Sequence, residues 1–382
     1  MDVLVIGAGM VGSACAYHCA EAGLRVAVVD RGPVAGGTTS AGEGNILVSD
    51  KEPGAELEMA LLSVRLWAAL GERIGAGRLE LEPKGGVVVA QTAEAAAGLA
   101  GLVSAQRAHG VEVADVSAAE LAELEPNLTR EVCAGAYYPQ DMQVQPMLAA
   151  AELLRQARAH GATMHTGCEV LGLRRSPDGA VTGATTSTGE FSARFTINAA
   201  GTWGVEVAAM AGVTVPVLPR KGFILVTEPL PPAAVRHKVY SADYVANVAS
   251  GDAGLETSVV VEGTRAGTVL VGASRERVGF DRRVSVPVLQ RLAAQSIGLF
   301  PFLSDVTLLR SYLGFRPYCP DHLPVIGEDP RAPGLVHACG HEGAGIGLSA
   351  ATGHLIAQVL TGEKPDLDLT PFRPDRFTVE VA

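Results

Sequence analysis

The 382-residue chain is short of positive charge: 30 Lys and Arg stand against 41 Asp and Glu, a formal net charge of −11. Phosphate backbones are bound by basic patches, so this balance argues against a nucleic-acid partner. No run of about 18 apolar residues occurs, so no membrane span is expected. The six cysteines, Cys15, Cys19, Cys133, Cys168, Cys319 and Cys339, include no C-x-x-C pair. Zinc and iron–sulfur spacings are therefore absent, and no metal site is expected. Without a disulfide framework or an export signal, the expected compartment is the cytoplasm. No internal repeat is visible.

Hydrophobic residues make up 48% and charged residues 19%, a globular composition. The length suggests two domains.

The most informative stretch comes first. Val3-Leu4-Val5-Ile6 reads as a buried strand, Gly7-Ala8-Gly9-Met10-Val11-Gly12 as a turn, and Ser13 to Ala22 as a helix ended by Gly23. Val26 to Val29 is a second strand, ending at Asp30. In such a unit the first glycine allows the tight turn. The second admits a pyrophosphate to the backbone, and the third lets the helix pack on the strand. The helix N-terminus then holds the phosphates. Asp30 stands where an acid accepts hydrogen bonds from a ribose diol. These 30 residues suit NAD(P) as well as FAD.

Two later segments favour FAD. Asn198-Ala199-Ala200-Gly201-Thr202-Trp203 ends a strand in small residues that can lie against a nucleotide. Gly340-His341-Glu342-Gly343-Ala344-Gly345-Ile346-Gly347 opens the last helix and can aim backbone N–H groups at a ligand. A positive helix end would stabilise the negative charge of a reduced flavin.

Elsewhere, residues 54–74, 93–109, 147–160 and 347–360 read as helices. Residues 85–90 and 195–199 read as strands, and 216–310 as mostly alternating strands, including 223–226, 258–261 and 268–271. The proline-rich tail from Lys364 is expected to lie over the surface.

With these segments in place the chain resembles the D-amino-acid oxidase family, in particular its glycine oxidase, sarcosine oxidase and proline dehydrogenase β-subunit branch. The resemblance rests on the N-terminal turn, Gly36–Gly42 with Asn45, Asn198–Gly201 and Pro219-Arg220-Lys221-Gly222. Its most specific part is the run from Gly314-Phe315-Arg316-Pro317 to Gly327, followed by Gly340 to Gly353. It implies an α/β (α+β overall) fold, with a Rossmann-like FAD domain in three pieces (1–84, 141–215, 311–382). A mixed or antiparallel-sheet substrate domain (85–140, 216–310) covers the flavin. It also implies oxidation of the C–N bond of a small amino or imino acid by hydride transfer to flavin N5, with hydrolysis of the imine. The FAD contacts it implies are Gly7, Gly9, Met10, Val11, Gly12, Asp30, Arg31, Thr38, Thr39, Ser40, Gly44, Asn45, Val170, Ala200, Gly201, Trp203, Gly222, Gly343, Gly345, Ile346, Gly347 and Leu348.

Arg316 matches the arginine that grips the substrate carboxylate, and a guanidinium fork suits that task. An ordinary structural ion pair is the alternative. His341 is the histidine that the motif places beside the flavin, where it could orient a water or simply bond within the turn. Departures from the family narrow the expectation. Gly314 stands where a covalent cysteine is found in the sarcosine oxidase branch, and the residues just after Ser40 contain no histidine, so FAD is expected to be noncovalent. The strand Ser258–Val261 lacks the carboxylate-binding tyrosine of glycine oxidase, leaving Tyr240 and Tyr244 as substitutes. Arg275, Glu276 and Arg277 read as a solvated charge cluster. Lys221, the one lysine inside a matched motif, is expected in a turn between domains. With no iron–sulfur ligands, electrons are expected to pass to a partner subunit or dye-like acceptor rather than oxygen; a homo-oligomer is left open. A non-catalytic flavin-holding subunit and an NAD(P)-dependent dehydrogenase remain the competing readings.

Overall fold

The computed structural model describes residues 1–244 and 250–377. Two sheets organise them. The first runs in the spatial order 325–328, 335–339, 195–198, 3–6, 26–30, 163–166. The pairs among 335–339, 195–198, 3–6, 26–30 and 163–166 are all parallel, and only the edge strand 325–328 is antiparallel. Parallel strands covered on both faces read as unbroken apolar runs, and Val3–Ile6 is buried at every position. Three helices, Met10–Glu21, Pro146–Ala159 and Gly345–Thr361, stack on one face. On the other lies a three-stranded antiparallel sheet of Val170–Arg175, Val181–Thr186 and Gly189–Ser192. Gly23 and Gly362 end their helices at φ 84° and 81°, the left-handed geometry that glycine adopts without strain.

The helix Gly345–Thr361, with the turn before it, is the one described helix long and apolar enough to cross a membrane by composition. It is instead a core element, with its residues Gly347 to Gly353 buried without a break.

The second sheet has eight strands in the order 308–318, 218–227, 269–275, 256–263, 238–241, 86–90, 134–138, 114–116. It is mixed, with 238–241 and 86–90 paired in parallel. Both faces are buried, and side chains alternate between them, with a break in the strand Val269–Arg275 between Val271 and Ala273. Val87, Val89, Val261 and Val271 face the helix Val286–Leu299. Val88, Ala90, Val260 and Ala273 face the core shared with the first sheet. Lys221 lies on the strand Leu218–Thr227, not in a turn. It is buried, and Glu276 at 3.5 Å and Asp281 at 3.6 Å neutralise it.

Candidate functional site

A cavity of about 340 Å³ opens at the carboxyl ends of strands 3–6 and 26–30 and reaches the inner face of the second sheet. That volume falls within the range of small-molecule sites. At its nucleotide end the three glycines differ in what surrounds them. Gly7 has φ 112° and backs against the Ala199 carbonyl. A β-carbon on Gly12 would collide with the Gly7 carbonyl oxygen, so this glycine serves helix–strand packing. A β-carbon on Gly9 would meet only the Thr39 hydroxyl at 3.2 Å, because its other side is the cavity. The Met10 N–H donates to Thr39 Oγ1 at 2.9 Å, which ties the Thr38–Ala41 turn to the helix N-terminus. Thr38 and Thr202 both donate to the Phe315 carbonyl, at 2.7 and 2.9 Å, and so bind that turn to the long strand Leu308–Tyr318.

Asp30 accepts from the N–H groups of Ala8 and Gly32, both at 2.7 Å, while still bordering the cavity. It therefore braces the turn in addition to presenting a carboxylate. Arg31 lies over the Trp203 ring at 4.7 Å, and Trp203 stacks on Phe280 at 5.5 Å. Val170, Ala200, Gly201, Asn45, Gly222, Gly343, Gly345 and Ile346 also line the cavity.

Five of the expected contacts do not line it. Gly12 packs as described above, and Ser40 donates to the Gly37 carbonyl. Gly44 is pressed against Val144. Gly347 gives its carbonyl to Ser63 and to Trp67 Nε1, and Leu348 is core.

Arg316 enters from the strand Leu308–Tyr318. A β-carbon on Gly222 would strike its guanidinium, so glycine there clears the space. Arg316 donates from Nη1 to the Ser274 carbonyl at 2.8 Å, and no carboxylate pairs with it among the described residues. The structural ion pair is thus not what is found. Burial, and then the neighbouring Arg275 charge, lower its pKa to about 10, so it stays cationic at neutral pH.

His341 is 3% exposed, and burial pushes it down to about 3, so its imidazole is neutral. Thr352 donates its hydroxyl hydrogen to the Leu348 carbonyl at 2.9 Å. It can therefore only accept from His341 Nε2, also at 2.9 Å. The proton thus sits on Nε2, and Nδ1 is the free acceptor.

Three features differ from the sequence reading. Arg275 is not solvated: it is 4% exposed and lies over the Tyr244 ring at 4.7 Å. Of the two candidate tyrosines only Tyr244 borders the cavity, whereas Tyr240 is fully buried and donates to Ser49. Glu43, unremarked in the sequence, lines the cavity and holds Lys238 at 3.3 Å. Its signal was its place between the Gly36–Gly42 loop and Asn45. Cys319 is buried away from the cavity, and burial raises its thiol pKa, so it is an inert packing group.

The glycine-lined turn, the open side of Gly9 and the helix N-terminus fit a dinucleotide diphosphate. The unpaired Arg316 closes the opposite end. The chain is 31% identical to glycine oxidase of Geobacillus kaustophilus, covering 100% of this chain and 98% of the relative. It is 30% identical to the hydrogen cyanide synthase subunit HcnC of Pseudomonas aeruginosa, covering 100% and 97%. The crystal structure of the Geobacillus kaustophilus glycine oxidase superposes with a TM-score of 0.88, at 28% identity and 99% coverage of both chains. Residues 2–359 match the family described as FAD dependent oxidoreductase, and the chain belongs to that family.

Proposed function

We propose that this FAD-dependent enzyme oxidises the C–N bond of a small amino or imino acid. The observation that carries the reading is Arg316: a half-buried guanidinium with no carboxylate partner among the described residues, facing the cavity opposite the nucleotide turn. A charge held partly out of water without a counterion is unfavourable, so such a site is built to receive an anion. Glycine oxidase among the relatives agrees with a carboxylated amine. When bound, FAD supplies a two-electron acceptor: substrate C–H and N–H bonds are exchanged for C=N, and water then splits the imine. The chain's own residues do the positioning. Gly9, Thr39 and the N-terminus of the helix Met10–Glu21 would hold the diphosphate, and Asp30 the ribose. Arg316 would fix the carboxylate, Tyr244 would wall the site, and neutral His341 would offer Nδ1 as an acceptor to the substrate nitrogen. No strong base is needed, because the amine only has to be neutral.

Attachment of FAD is read as noncovalent. Gly314 borders the cavity against Ala41 and offers no nucleophile. Acid precipitation should leave the flavin in the supernatant, and colour in the pellet would refute this. For the substrate reading, kcat/KM is compared between an amino acid and its decarboxylated amine, in wild type and Arg316→Ala. Losing a charge-assisted contact costs about 2–5 kcal/mol. Wild type should therefore favour the carboxylated partner by roughly 30-fold or more, and the variant should lose that preference while keeping FAD. Equal rates on both amines in wild type would overturn it.

A further inference from the structure

Beyond Arg316 lies a side pocket of about 30 Å³, bordered by Arg275, Tyr244 and Lys51 and by the carboxylates Asp50, Glu56 and Glu342. This is space for one small group, on the scale of a water or a carboxylate. Arg275 ends the strand Val269–Arg275 and shares a face with Ala273, on the side turned toward the first sheet. Its Nη1 is buried with no hydrogen-bond partner.

The neighbouring buried cations are treated differently. Lys51 lies between Asp50 at 3.1 Å and Glu56 at 3.3 Å. Lys238 lies between Glu262 at 2.8 Å and Glu43 at 3.3 Å, and Arg220 between Glu342 at 2.5 Å and Glu256 at 2.8 Å. Each of those three has two carboxylates. Arg275 and Arg316, side by side, have none among the described residues. Arg275 is buried and Arg316 half-buried; adjacent like charges without counterions repel each other, and the acids nearby are already engaged by other cations. One carboxylate fills one guanidinium fork. Arg316 opens to the main cavity and Arg275 to the side pocket.

We propose that the substrate is a dicarboxylic amino or imino acid, with one carboxylate on Arg316 and the second on Arg275. The proposal rests on the amine-oxidation reading for the chemistry but on binding for its test. The probes are oxydiacetate and methoxyacetate, ethers in which oxygen replaces the amine, so that neither can become an imine. Each is titrated into the FAD-loaded enzyme and followed by perturbation of the flavin absorbance or by calorimetry.

Oxydiacetate should bind at least about tenfold tighter than methoxyacetate, a difference of about 1.4 kcal/mol. In Arg275→Gln that ratio should fall toward one, and in Arg275→Lys, which keeps the charge, it should stay above one. FAD occupancy shows that each variant is folded. Equal affinities in wild type would overturn the proposal, as would a ratio that survives Arg275→Gln. A preference for oxydiacetate that depends on Arg275, in an enzyme whose flavin no amine reduces, would support the subsite and defeat the oxidation reading alone.

Discussion

Gly9 and Gly12 belong to one motif but carry different loads, and substitution separates them. At Gly9 an added side chain grows into the space for the diphosphate, and only the Thr39 hydroxyl, 3.2 Å from the added β-carbon, has to give. Gly9→Leu should fold, with a far-ultraviolet circular dichroism spectrum like wild type, yet retain no FAD. At Gly12 the added carbon collides with backbone. Gly12→Val should lose both fold and flavin, with a stability loss of about 1–3 kcal/mol or more. A Gly9→Leu protein at full occupancy would show that this turn is not the phosphate site. The turn, Asp30, Arg316 and His341 were legible because motif spacing and residue type both pointed to them. Arg275 was not. Ser-Arg-Glu-Arg reads as a charged surface, and strict alternation from Val269 and Val271 would turn Arg275 toward the helix Val286–Leu299; the break in alternation between Val271 and Ala273 turns it inward instead. Lys221 misled for the same reason.

Among the elements, the long apolar runs of the first sheet and the capped helices were readable because burial on both faces leaves uninterrupted Val, Ile and Ala. The helix Val286–Leu299 went unread inside a region taken as strands. Its Pro287 in the first turn and its buried Val288, Leu292, Ser296 and Leu299 are a helix signature, overshadowed by β-branched residues nearby. The hairpin of Val170–Arg175 and Val181–Thr186 is half exposed and carries little apolar contrast.

The pairing of the helices Met10–Glu21 and Gly345–Thr361 sets the cavity's shape, because both present their N-terminal ends to it. They approach closely at Gly353, where a β-carbon would lie 2.6 Å from the Ala14 carbonyl. Gly353→Val should cost about 1–3 kcal/mol in denaturant unfolding and weaken FAD binding at a distance from the cofactor. An unchanged midpoint and unchanged FAD affinity would mean that the two helices do not need this contact.

At the scale of the whole molecule, charge placement bears on where electrons go. Reducing oxygen passes through superoxide, which a nearby positive charge stabilises. Here Lys51, Lys221 and Lys238 are each neutralised by two carboxylates, and His341 is neutral. Arg316 and Arg275, without carboxylate partners among the described residues, are the groups assigned to substrate, and Arg31 lies over Trp203 at the nucleotide end. The acceptor is therefore expected to be a partner protein or a quinone-like dye. Substrate-reduced enzyme mixed with air-saturated buffer should reoxidise slowly, and with an artificial quinone quickly. Rapid reoxidation with stoichiometric peroxide would make the protein an oxidase.

The central claim joins a bound flavin to a carboxylated amine in one cavity, and anaerobic titration tests it most directly. Purified enzyme, yellow from FAD, is mixed under nitrogen with amino and imino acids, their decarboxylated amines and amine-free carboxylates, and the flavin absorbance is followed. Stoichiometric bleaching by one or more amino or imino acids, with little by either control class, is the expected result. A flavin that no carboxylated amine bleaches, or that bare amines bleach as readily, would contradict it.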